Sequence, residues 1–301
     1  MKRQFYILLH LLILLASLLA SCSTVSTPQP PTPTPMPSGM VEVGGYALYC
    51  ECSGQGSPTV ILESGSGGDS SAWAAAKLGL AGTTRICAYD RANLGRSDKA
   101  PGPRTFHDMT HDLQVLLEKA HIGGPYILVG HSMGGMLVRI FADQHPGEVA
   151  GVVLVDSAHP DMGDRLLTCL PPESAGEPEI TRYLRQWFTW MSDSSHEPPF
   201  VDSEVQNTLE SNRQVRDVES LGDLPLVVIS QAPNIPGLGY RIVASSETDA
   251  CLRQTWQDMQ GELAGLSSNT SRLTAQGGHM IPLEQPELIV QAIIDLVEEV
   301  R

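Results

Sequence analysis

Tyr126-Ile127-Leu128-Val129-Gly130-His131-Ser132-Met133-Gly134 is the stretch on which the reading of this chain turns. An apolar run of strand character leads into G-x-S-x-G, and residues 136–141 then carry helical character. Strand, tight turn and helix in that order present a serine hydroxyl above the end of a sheet. The turn is strained, and side chains two residues before or after the serine would collide, which accounts for Gly130 and Gly134. The free N–H groups at the start of the following helix, Met133 first among them, suit a developing oxyanion. Ser132 is therefore the candidate nucleophile.

The first residues read as an export signal and not as part of a fold. Lys2 and Arg3 precede a run over residues 5–20 that is almost wholly apolar apart from His10. That run is too short and too early for a membrane span and has the form of a signal peptide, residues 1–21. It closes on Leu19-Ala20-Ser21-Cys22, which resembles the lipobox of bacterial lipoproteins. The resemblance implies cleavage before Cys22, a diacylglycerol on its sulfur, and an extracytoplasmic protein anchored to a membrane of the bacterial cell envelope. Each buried methylene of such an anchor contributes about 0.8 kcal/mol. Residues 22–40 are rich in Pro and Thr. Proline fixes φ and removes backbone donors, so this segment is expected to be an extended tether, about 3.1 Å per residue.

Residues 41–301 remain for one globular domain, with no second linker and no internal repeat. The formal charge is −15, and −17 once Lys2 and Arg3 leave with the signal. Such a surface excludes charge-driven binding to nucleic acid or to anionic lipid. Of the six cysteines, Cys169 and Cys251 are the expected disulfide, both lying in helical surface regions. Cys52 and Cys87 sit in strand-like runs and are expected to be buried free thiols. No C-x-x-C and no His/Cys cluster has zinc-ligand spacing, so neither a metal nor a cofactor is expected.

The order of elements points to an α/β fold. Residues 41–43 and 46–52 form a hairpin turning at Gly44-Gly45. Buried strands are predicted at 59–62, 85–89, 126–129, 150–155 and 224–229, with a short last strand at 272–275. Helices are predicted at 106–120, after Ser132, and at 286–301. Strands alternating with helices imply a mostly parallel sheet covered on both faces, with its active site beyond the carboxyl ends of the strands. Residues 160–221 interrupt the alternation with helical and irregular sequence, as a cap would.

Four motifs in this order resemble the α/β-hydrolase superfamily over residues 41–301. They are the Ser132 elbow, the loop Asp90-Arg91-Ala92-Asn93-Leu94-Gly95-Arg96-Ser97-Asp98, the run Gly277-Gly278-His279-Met280 before the last helix, and Leu62-Glu63-Ser64-Gly65-Ser66-Gly67-Gly68 at the oxyanion loop. The resemblance implies a second oxyanion donor at the backbone of Ser66. It implies His279 as the base, because that histidine follows the last strand on a glycine loop. In this fold His131, inside the elbow, normally points away from the chemistry. Ser64 departs from the His that many members carry there. The acid is open on sequence. The strand ending near residue 229 continues Ser230-Gln231-Ala232-Pro233-Asn234, with no carboxylate. Asp156, at the end of the preceding strand, is preferred, because that strand should lie beside the one bearing Ser132; Glu247 and Asp249 are the alternatives. Tyr183, Trp187 and Trp190 share one face of a cap helix and are expected either to pack it or to wall a substrate pocket.

The implied activity is hydrolysis of small carboxylic esters through an acyl-enzyme. Serine at the elbow argues against haloalkane dehalogenase and epoxide hydrolase chemistry, which uses Asp there. Cofactor-free perhydrolysis shares the same residues, and a tethered binding protein could keep the fold without the reaction.

Overall fold

The computed structural model describes residues 38–234 and 245–301. The expected signal peptide, Cys22 and most of the tether lie outside those residues.

An eight-stranded sheet organises the described chain, in the order β1-β2-β4-β3-β5-β6-β7-β8. β1 (Ser38–Glu42) and β2 (Ala47–Ser53) are the antiparallel hairpin, and β2 runs antiparallel to β4 (Ile86–Tyr89). From β4 onward the sheet is parallel, through β3 (Thr59–Glu63), β5 (Tyr126–His131), β6 (Val149–Val155), β7 (Leu226–Ser230) and β8 (Thr270–Thr274). The first strand thus begins three residues before Val41, because residues 38–40 pair with β2.

Alternation along each strand divides the core between the two faces, as a pleat of period two requires. Ile61 and Leu128 face one way, with Leu113, Leu116 and Phe141 from α2 (Phe106–Lys119) and α3 (Met133–Gln144). Their neighbours Val60, Leu62, Ile127 and Val129 face the other way. There they meet Ala76 and Leu80 of α1 (Ala74–Leu80) and Ile289, Ile293 and Leu296 of α9 (Pro286–Glu299). α2 starts on a capping box in which Thr105 and Asp108 each satisfy the other's backbone N–H.

Between β6 and β7 the chain makes the cap: α4 (Met162–Leu167), α5 (Glu179–Ser192) and α6 (Thr208–Arg216). Its own apolar cluster joins Met162, Leu184, Phe188 and Trp190 to Met133, Met136 and Ile140 of α3. α7 (Ser246–Ala264) follows β7, and the expected Cys169–Cys251 disulfide ties it to the cap. α8 (Ile281–Glu284) precedes α9.

One expectation about the cysteines is overturned. Cys52 and Cys87 are not free thiols but a disulfide. The sheet order places β4 beside β2, and the register sets Cys52 directly opposite Cys87. Two separate strand-like runs carry no sign of that juxtaposition. Among the described residues the free thiol is Cys50, whose pKa burial pushes up to about 11.

Candidate active site

β5 delivers Ser132 at its carboxyl end and α3 begins at the next residue. Ser132 holds φ 52° and ψ −122°, a region that non-glycine residues occupy only when their surroundings impose it. The imposing contacts are backbone against backbone. A Cβ on Gly134 would come within 2.6 Å of the carbonyl oxygens of Glu63 and Ser64, and one on Gly130 within 2.4 Å of the Gly134 carbonyl. The helix start can therefore sit hard against β3, and the serine is turned outward.

His279 follows β8 on a loop held at both sides. Gly278 N–H donates to Glu284 at 2.6 Å, and Gly277 O accepts from Ala232 N–H at 3.1 Å. Its Nε2 lies 3.0 Å from Ser132 Oγ, and its Nδ1 lies 2.7 Å from Asp156 Oδ2. Asp156 directly follows β6, which neighbours β5 with His131 opposite Val155, so the preferred acid stands beside the serine strand. Asp156 is fully buried and also adopts a positive φ of 41°. Its other oxygen, Oδ1, accepts the indole N–H of Trp256 and the backbone N–H of Gln231, each at 2.9 Å. With one oxygen fixed by two donors, the other is aimed at the imidazole. The two alternative acids lie elsewhere. Glu247 and Asp249 occupy the first turn of α7, where Glu247 is exposed and Asp249 pairs with Arg253.

The oxyanion loop lies directly against this row. A Cβ on Gly65 would stand 3.2 Å from Ser132 Cβ and 3.1 Å from His131 Nδ1, so a larger residue there would press on both. Behind the loop sits the buried guanidinium of Arg91, which donates to Ser64 O at 2.6 Å and Gly65 O at 2.7 Å. Two buried carboxylates, Glu63 and Glu204, pair with the same guanidinium. Their attraction raises its pKa against the opposing effect of burial. Desolvation raises the pKa of Glu63.

His131 departs from expectation. Its ring packs on His279, centroids 4.9 Å apart, and its Nε2 is 2.9 Å from the His279 carbonyl. A neutral ring donating Nε2–H to that carbonyl props the His279 loop. Burial, and secondarily the nearby His279, lower its pKa to about 3, which keeps it neutral. His159 also reaches the cavity, and burial lowers its pKa to about 4.

Ser132 and His279 open into a cavity of about 450 Å³ beneath the cap. Tyr183, Trp187 and Trp190 all line it, so the shared helix face both packs and walls the site. Five methionines line it as well: Met133, Met136, Met162, Met191 and Met280. Among the described residues its lining holds no Lys, Arg, Asp or Glu. Thr208 and Asn212 of α6 each give one donor to a backbone carbonyl, of Trp190 and Met191, at 2.8 and 2.7 Å.

A hydroxyl joined through an imidazole to a buried carboxylate, at the mouth of an apolar cavity, is an arrangement able to make a nucleophile. A model of the alpha/beta hydrolase family matches residues 60–292, from β3 to the middle of α9, a span that carries all three groups. The chain belongs to the alpha/beta hydrolase family. Relatives of this hydrolase include efuK of Hormonema carpetanum, named a probable transporter, at 29% identity over 87% of this chain. YqjL of Bacillus subtilis, an uncharacterized protein, is 26% identical over 84% of this chain. The hydrolase chain spans 43% of the length of efuK and 89% of that of YqjL. Among solved structures, a thermophilic esterase from Thermogutta terrifontis superposes with a TM-score of 0.58. It is 22% identical, and the match covers 85% of this chain and 94% of the esterase, a likeness of fold.

Trp256, Gln231, Arg91 as a loop holder, and Glu204 carry no local mark of these roles in the sequence. Trp256 is one buried aromatic on a long helix, and Glu204 one carboxylate in an irregular stretch. Only the folded arrangement distinguishes either from its neighbours.

Proposed function

We propose that this chain is a serine hydrolase of uncharged carboxylic esters. The observation that carries the reading is the unbroken hydrogen-bonded row from Ser132 Oγ through His279 to Asp156, opening into an apolar cavity. His279 Nε2 takes the hydroxyl proton as Ser132 Oγ attacks the ester carbonyl, and Asp156 stabilises the imidazolium. The N–H groups of Met133 and Ser66 receive the oxyanion. As the tetrahedral species collapses, the C–O bond to the alcohol breaks and His279 returns its proton to the departing oxygen. Water, deprotonated by the same imidazole, then attacks the acyl-enzyme, and the acid leaves with Ser132 restored.

The lining sets the substrate class. Trp187, Trp190 and the methionines supply apolar surface, and methionine side chains adapt to groups of varied shape. Both cavity histidines other than His279 are held neutral by burial, and among the described residues the lining carries no Lys, Arg, Asp or Glu. A substrate carboxylate would be desolvated there without a counter-charge. p-Nitrophenyl esters from acetate to dodecanoate should be hydrolysed, with a preference for medium acyl chains. The matched ester of a dicarboxylic acid, with one carboxylate free, should fall by about a hundred-fold or more in kcat/KM, equivalent to about 2.7 kcal/mol. A folded protein that turns over none of these esters, or one that prefers the charged acyl group, contradicts the proposal.

Export and lipidation at Cys22 belong to the same proposal. Two disulfides, Cys52–Cys87 and Cys169–Cys251, support an oxidising compartment, where such bonds persist. Labelled palmitate supplied to a bacterial host should mark the wild type and not Cys22→Ser. A water-soluble product that starts at another cleavage site would overturn this part.

A further inference from the structure

The oxyanion loop is held from the cap. Arg91 uses all five of its guanidinium donors. One Nη1–H goes to Glu63 and the other to Ser64 O. One Nη2–H goes to Gly65 O and the other to Glu204 Oε2, at 3.1 Å, while Nε–H donates to Glu204 Oε1 at 2.7 Å. Glu204 adds a contact of its own, for its Oε2 accepts Gly67 N–H at 2.8 Å. The loop is thus fixed on both sides of Ser66: the carbonyls of residues 64 and 65 by Arg91, and the amide of residue 67 by Glu204. Gln206 places a further tie on Ser66 itself, its Nε2 donating to the hydroxyl at 3.1 Å.

Glu204 and Gln206 belong to the cap segment between α5 and α6, more than a hundred residues from the loop they hold. That segment is anchored in turn to the body. Arg104 N–H donates to Val205 O, and Asn207 N–H donates to Arg104 O, each at 2.8 Å. Glu204 and Arg91 are both almost completely buried, so water does not screen the pair.

We propose that Glu204 is a positioning residue for the oxyanion hole: its carboxylate locks the loop so that Ser66 N–H faces the reacting carbonyl, and the cap segment 204–206 is thereby coupled to the reaction. The proposal rests on the serine hydrolase reading above. It follows from what a transition-state donor requires. Such a donor contributes only when it is held at the oxyanion's place beforehand, and loss of one typically costs about 10²–10³ in kcat. Loosening a donor should cost part of that.

Glu204→Gln is nearly isosteric but has one acceptor oxygen. Its amide nitrogen must then face Arg91 Nε–H in one orientation, or Gly67 N–H and Arg91 Nη2–H together in the other, donor against donor. Glu204→Asp keeps the charge on Arg91 and shortens the reach to Gly67. The full chain of each form would be titrated with a fluorophosphonate to count working sites. kcat and KM per working site would then be measured on a p-nitrophenyl ester, with inhibition by an alkyl trifluoromethyl ketone, which forms a tetrahedral adduct on the serine. For Glu204→Gln the expected result is a drop in kcat of about ten- to a hundred-fold with KM within about three-fold. The ketone should bind more weakly by the same factor, and Glu204→Asp should lie between. A purely structural role would lower the melting temperature or the count of working sites and leave kcat per site unchanged in both variants; that result overturns the proposal. If Glu204→Gln does not fold, the same comparison on Glu204→Asp decides. A wild type that neither reacts with the fluorophosphonate nor hydrolyses esters removes the hydrolase reading and this proposal together. An active wild type matched per site by both variants removes this proposal alone.

Discussion

Ser132→Ala should lower ester hydrolysis by about 10⁴-fold or more while the protein remains folded, because removal of a serine nucleophile leaves only the oxyanion hole and binding to act. The strained turn makes this a sharp test. Ser132 sits at φ 52° because residues 130 and 134 press the elbow against β3, not because of its hydroxyl. Its side chain makes one contact within the row, to His279 Nε2. Alanine can occupy the same backbone at little cost, and the circular dichroism and melting temperature should stay close to wild type. Activity above about a hundredth of wild type, measured as kcat on a p-nitrophenyl ester, would mean that Ser132 is not the nucleophile.

Asp156→Asn should cost about 10⁴-fold in kcat with little change in stability. The pattern of bonds states why. Oδ1 accepts from Trp256 and Gln231, so an asparagine will place its carbonyl oxygen there and turn its NH₂ toward His279 Nδ1. Nδ1 must then accept, which moves the imidazole proton to Nε2. In that tautomer Nε2 donates to Ser132 and cannot take its proton. Glu247→Gln and Asp249→Asn should cost little, since both residues lie in the first turn of α7 and neither touches His279. Near-wild-type kcat for a folded Asp156→Asn, with loss in either of the other two, would place the acid on α7 instead.

The parts of this site that could be read in the residues are those fixed by local chain geometry. An elbow is a short-range object, so G-x-S-x-G between an apolar run and a helix revealed Ser132, and a glycine loop after the last strand revealed His279. Asp156 was legible only as a preference, since it required that β6 lie beside β5, a matter of sheet order. The features that escaped notice are long-range. Trp256 meets Asp156 across 100 residues and Glu204 meets Gly67 across 137. The Cys52–Cys87 bond depends on β4 inserting between β2 and β3 in the sheet, an order that neither strand's own pattern encodes. His131 departs from expectation for a similar reason. Its orientation is decided by the His279 carbonyl, which arrives from a loop 148 residues away.

The central claim is that Ser132 is a nucleophile activated by His279, and peptide mapping of the protein after reaction with a fluorophosphonate tests it most directly. One adduct is expected, on the peptide containing Ser132, and it should be absent from His279→Ala and from protein unfolded before exposure. A folded wild type that carries no adduct, or carries it on another residue, would contradict the account.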